Sequence, residues 1–103
     1  MGKRLDMLEK LVSSGTADSF ARYALAMEYR KEGRAKDAIL AFEALRAKDA
    51  DYLPMYLMVG QILTDENQGA EARAWLEAGV ELATRRGDGK AKSELLAAID
   101  ACE

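Results

Sequence analysis

Residues 21–45, ARYALAMEYRKEGRAKDAILAFEAL, and residues 55–79, MYLMVGQILTDENQGAEARAWLEAG, carry one pattern written twice. A shift of 34 residues lays the first on the second. Ala26 then falls on Gly60, Leu25 on Val59, Tyr29 on Leu63 and Gly33 on Asn67; Ala38 falls on Ala72, Phe42 on Leu76 and Leu45 on Gly79. Glu32 and Glu66, Glu43 and Glu77, and Ala44 and Ala78 are identities. The matched positions are small or large apolar residues plus a turn, which is what stacked repeats need to bury a shared core.

Within each copy the period is helical. Tyr23, Ala26, Met27 and Arg30 follow the three-four spacing of one face, with Arg22, Leu25 and Tyr29 on the adjoining one. Glu32-Gly33 breaks the pattern, since glycine takes the left-handed conformation that ends helices. Ala38, Phe42 and Leu45 restart it, predicting a second helix over 35–48. The second copy repeats this, with a helix over 52–64 that tolerates Pro54 in its first turn. A turn at Asn67-Gln68-Gly69 follows, then a partner helix over 69–84. Outside the copies, Leu5, Leu8, Leu11 and Val12 form a stripe that stops at Ser13-Ser14-Gly15. Shifted by 34, Leu8 falls on Phe42 and Leu11 on Leu45, so this helix reads as the second half of a preceding unit. Gly87-Asp88-Gly89 precedes a last helix marked by Leu95, Leu96 and Ile99, whose register does not continue the repeat well. The expected fold is all-α and one domain: an N-terminal helix (1–15), repeat one (18–51), repeat two (52–86) and a C-terminal capping helix (88–103).

Over roughly residues 18–84 these stretches resemble the tetratricopeptide repeat family. A small residue on the first helix (Ala26, Gly60) lets the second approach, a small residue there (Ala38, Ala72) reciprocates, and a large one (Phe42, Leu76) fills the space between. Arg22 stands where the family often has an aromatic, its stem serving as cover, whereas Tyr56 keeps the aromatic. Ala50 and Thr84 replace the usual proline at the unit ends. The resemblance implies an α-α superhelix whose first helices line a concave groove for peptides or partner proteins. Carried onto this chain, the groove comprises Phe20, Tyr23, Ala24, Met27, Arg30 and Lys31, joined by Pro54, Leu57, Met58, Gln61 and Asp65.

Composition excludes several other functions. The 103 residues carry 15 Lys and Arg against 18 Asp and Glu, net −3, with no basic face of the kind that drives nucleic-acid binding. The chain has no histidine, which removes the commonest general base and a frequent metal ligand. Its one cysteine, Cys102, has no internal disulfide partner and lies beside Asp100 and Glu103, which disfavour a thiolate. A reducing, cytoplasmic setting is therefore expected. The acids at Asp49-Asp51 and Asp65-Glu66 lack calcium-loop spacing, though Asp51 is placed to cap the following helix, and 86–90 (RGDGK) lacks phosphate-loop spacing. The apolar run over 52–63 is too short to span a bilayer, and Asp6, Glu9 and Lys10 interrupt any signal-like core at the N-terminus.

The functional expectation is accordingly a protein–protein interaction module, not an enzyme, with no metal and no cofactor. It would bind an apolar or amphipathic segment on a Met- and aromatic-rich floor, with Arg30, Lys31 and Gln61 orienting it. The alternative is a homodimer built on the same apolar surface. Trp75, beside Leu76, is expected to point away from the seam within its pair, either under the last helix or onto the outer surface as an anchor.

Overall fold

Turn chemistry sets where the helices start and stop. In the computed structural model, which describes residues 2–102, they run Lys3–Ser13 (α1), Ser19–Lys31 (α2), Ala35–Lys48 (α3), Pro54–Asp65 (α4), Gly69–Arg86 (α5) and Gly89–Ala101 (α6). Met1 and Glu103 lie outside the described residues. No strand occurs among the rest, and the fold is all-α: two helix pairs with a flanking helix at each end.

Asp18 starts α2 by accepting the Ala21 N–H at 2.8 Å, and Asp88 starts α6 by accepting that of Ala91 at 3.0 Å. Each cap satisfies an otherwise orphaned amide, a contribution of ~1 kcal/mol. Pro54 opens α4 two residues later than the apolar run begins. The N-cap of α4 is Leu53, which makes no side-chain cap bond, and Asp49 ties the preceding loop, accepting the Ser19 hydroxyl at 2.7 Å.

The turns inside the two pairs are copies of each other. Gly33 (φ 76°) and Asn67 (φ 60°) both adopt the left-handed conformation, which asparagine tolerates best after glycine. In the first pair Arg34 N–H donates to Tyr29 O at 2.9 Å; in the second Gln68 N–H donates to Leu63 O at 2.8 Å. The donors and acceptors are both one repeat apart.

The chain divides into two compact units, 1–52 and 53–103. In the first, α2 packs on α3 with Ala26, Ala38, Phe42 and Leu45 wholly enclosed. Helix α1 packs on α2 through Leu5 and Leu8 against Ala24 and Leu25, with Val12 and Tyr29 alongside. This corrects the expected register of α1. Leu5 and Leu8 are the buried pair, and Leu11 is only half-buried. They match the buried pair Phe42 and Leu45, so the stripe sits one turn earlier than a 34-residue shift puts it.

In the second unit α4 packs on α5 and α6 packs on both. A Cβ at Gly60 would lie 2.2 Å from Cδ2 of Leu76, so the small residue on α4 is what admits that side chain. Gly79 makes the corresponding room on α5: a Cβ there would lie 2.7 Å from Cβ of Tyr56 and 2.9 Å from Cδ2 of Leu95. Helix α6 does keep the first-helix pattern. Its buried Leu95 and Ile99 repeat Val59 and Leu63, two residues further on than the period allows.

Polar contacts hold α1 to α2. Arg4 Nε lies 3.0 Å from Glu28 Oε1, and the Tyr29 hydroxyl donates to Glu9 Oε2 at 2.5 Å. The bond to Glu9, then burial, then the Glu9 charge push the phenol up to about 12 from 10.0. A raised pKa means that this bond's contribution is complete below pH 10 and is lost as pH climbs through about 12. Absorbance titration of wild type minus Tyr29→Phe should show that late ionisation, and Glu9→Gln should bring it down toward 10.0. An unchanged midpoint in Glu9→Gln would show that the bond does not hold in solution.

Candidate functional site

The candidate face of α2 follows from helical geometry, since Phe20, Tyr23, Ala24, Met27 and Lys31 recur every three or four residues and share one side. The face is not uniformly open. Phe20, at the start of α2, is 65% exposed, and Lys31 is exposed at its end. Met27 and Arg30 are half-buried, and Ala24 is buried. Tyr23 is already engaged: its ring meets Phe42 edge-on at 5.9 Å and lies 5.3 Å from Tyr52. Burial, with Tyr52 as the lesser cause, raises its phenol above the usual range. Tyr23 thus covers the α2–α3 core with one edge and offers only the other.

Helix α4 repeats the arrangement in its own unit. Pro54, Leu57, Met58 and Gln61 share a side; Pro54 and Gln61 are exposed, whereas Leu57 and Met58 are half-buried. The equivalents of Phe20 and Met27 are here Pro54 and Gln61, so this face is flatter where α4 begins and more polar towards its end. Lys31 is likewise replaced by the exposed Asp65, so the two helices end on opposite charges.

Trp75 departs from expectation. Its ring lies 5.8 Å from that of Tyr56 on α4, so it faces the seam within its pair and does not point away from it. Adjacent helix positions are about 100° apart, which takes Leu76 to the middle of the seam and lets the long indole reach its edge. Arg22, in the aromatic position of the first unit, is half-buried and its Nε has no hydrogen-bond partner.

Sequence reasoning gave no role to two exposed apolar side chains, Met7 (54% exposed) and Leu40 (63%), and counted Leu96 (45%) only as a marker of the last helix. For Met7 and Leu96 the available signal is a large apolar residue off the buried stripe of its helix, next to Leu8 and Leu95 respectively. Cys102 Sγ donates to Ile99 O at 3.1 Å, and no metal-holding group of acids and cysteine occurs among the described residues. Among those residues no helix is long and apolar enough to cross a membrane.

No known family model matches the sequence, and neither does any curated protein. Solved structures do. A crystal structure of a tetratricopeptide repeat domain protein from Salinibacter ruber superimposes with a TM-score of 0.77 at 34% identity, covering 84% of this chain and 96% of that one. A solution structure of a tetratricopeptide repeat domain protein from the same organism gives 0.78 at 35% identity, over 84% and 87%. A protein from Bordetella parapertussis shares the fold across 99% of this chain and 89% of its own, with a TM-score of 0.84 at 24% identity. The 34% identity over 96% of the Salinibacter domain accords with the duplicated turn and the small-against-large seam at Gly60 and Leu76, and on these grounds the chain belongs to the tetratricopeptide repeat family.

Proposed function

We propose that this chain binds an apolar or amphipathic segment of a partner protein on the first helices of its pairs, α2 and α4. The family's architecture is in general that of a non-catalytic protein–protein interaction module, and the proposal concerns which residues do the work. One observation carries it: Phe20 stands 65% exposed at the head of an otherwise well-packed helix, on the same side as Met27. A large exposed aromatic beside a half-buried methionine is the type of side chain that anchors interfaces. Met27, Leu57 and Met58 supply adaptable apolar contact. Arg30, Lys31 and Gln61 orient the segment, and Pro54 offers a rigid edge. Trp75, held against Tyr56, is assigned to structure. The cytoplasm is the compartment in which we place the interaction.

A displayed library of amphipathic peptides, selected on the intact protein and measured by fluorescence anisotropy, tests this reading. Phe20→Glu should weaken a selected peptide by about tenfold or more, the scale of an interface anchor, while leaving circular dichroism unchanged. Equal binding by wild type and both Phe20→Glu and Leu57→Glu would move the site off these helices.

A further inference from the structure

An exposed apolar ridge on α1 and a mixed polar and apolar groove between α5 and α6 lie away from α2 and α4, and their rims differ in charge. In the first unit, Met7 and Leu11 form a ridge along α1, bordered by Lys3, Lys10 and Asp6. In the second, Val80 on α5 with Leu96 and Ile99 on α6 floors a groove bordered by Arg73, Glu77 and Asp100. One rim has two lysines and an aspartate; the other has two carboxylates and an arginine. Each floor leaves one large side chain in water, Met7 at 54% and Leu96 at 45% exposed.

We propose that the ridge and the groove are halves of one contact between copies of this chain, α1 of one copy lying in the α5–α6 groove of the next. Met7 and Leu11, one turn apart, supply a ridge that fits a groove between two helices. Lys3 and Lys10 stand about two turns apart on that ridge, roughly 10 Å along the axis. They bring positive charge to the rim where Glu77 and Asp100 lie. On that rim Arg73 is bonded to Glu77 at 3.0 Å. Each rim carries both signs, but two lysines against one aspartate leave the first net positive and two carboxylates against one arginine leave the second net negative, which favours the unlike pairing over like with like. The contact is therefore heterologous and propagates from copy to copy or closes into a ring. It uses neither α2 nor α4, so it stands or falls separately from the peptide-binding reading.

Sedimentation from about 10 μM to about 1 mM, where a small interface associates, provides the test. Wild-type mass should rise with concentration, and less so in high salt, which screens the rims. Met7→Glu and Leu96→Glu should each stay monomeric with unchanged helicity, because both positions are exposed. Mixed in equal amounts they should form a dimer, since each retains the half of the contact that the other has lost. A wild type that stays monomeric throughout, a variant that self-associates like wild type, or a mixture that stays monomeric while wild type assembles would each overturn the proposal.

Discussion

Alanine at Phe42 should remove about 3–5 kcal/mol from the stability of the first unit, the range for deleting a buried aromatic from a packed core. The side chain is wholly enclosed between α2 and α3, and its ring takes the edge of Tyr23 at 5.9 Å. Removing it loses the transfer of the ring from water, opens a cavity and strips Tyr23 of its support. Domains of this size are stable by about 5–15 kcal/mol in total, so the loss is a large share. Urea unfolding followed by circular dichroism reads it as a lower midpoint at unchanged slope. Phe20→Ala, at an exposed aromatic one turn from Tyr23, sets the comparison and should stay within about 0.5 kcal/mol. A cost below about 1 kcal/mol for Phe42→Ala would mean that the α2–α3 seam collapses freely and is not closed around this ring.

That contrast between two phenylalanines marks what the sequence could and could not disclose. Ala26, Phe42, Gly60 and Leu76 were legible because close helix packing demands particular sizes at a fixed period, and each demand appears twice. Gly33 and Asn67 were legible for the same reason, both residues being tolerant of positive φ. Helix α1 appears once. Leu5, Leu8, Leu11 and Val12 allow two overlapping stripes, and only the packing on α2 selects Leu5, Leu8 and Val12. In α6 the pattern is intact but displaced by two residues after the long α5, which a rigid shift cannot detect. The candidate face was legible as a stripe and not as a surface. Periodicity places Phe20, Tyr23 and Met27 on one side of α2, but it cannot say that Tyr23 is occupied by Phe42 and Tyr52 while Phe20 is left in water. Trp75 failed for a related reason: a two-sided picture of a helix ignores how far an indole reaches.

Adding one methyl at Gly60 should destabilise the second unit by about 2 kcal/mol, although glycine to alanine within a helix ordinarily gains up to ~1 kcal/mol. The new Cβ would lie 2.2 Å from Cδ2, 2.5 Å from Cγ and 3.0 Å from Cδ1 of Leu76. Leu76 is itself wholly buried and cannot swing out into solvent without leaving the core. Either α4 and α5 separate or Leu76 leaves its rotamer, and overpacking of this kind costs about 1–3 kcal/mol, with overlap this deep at the upper end. Trp75, the chain's one tryptophan, lies on α5 against Tyr56, so its fluorescence reports unfolding of this unit. A double-mutant cycle isolates the cause. Leu76→Ala alone should cost about 2–5 kcal/mol for its cavity. In that background the Gly60→Ala methyl enters the vacated space, so the double variant should be at least as stable as Leu76→Ala. A Gly60→Ala protein as stable as wild type, or a cycle with no coupling between the two sites, would show that the helices do not meet through this pair. The first unit keeps a buried methyl at the corresponding Ala26, so it is the branched Leu76 in this seam, and not the repeat as such, that requires glycine.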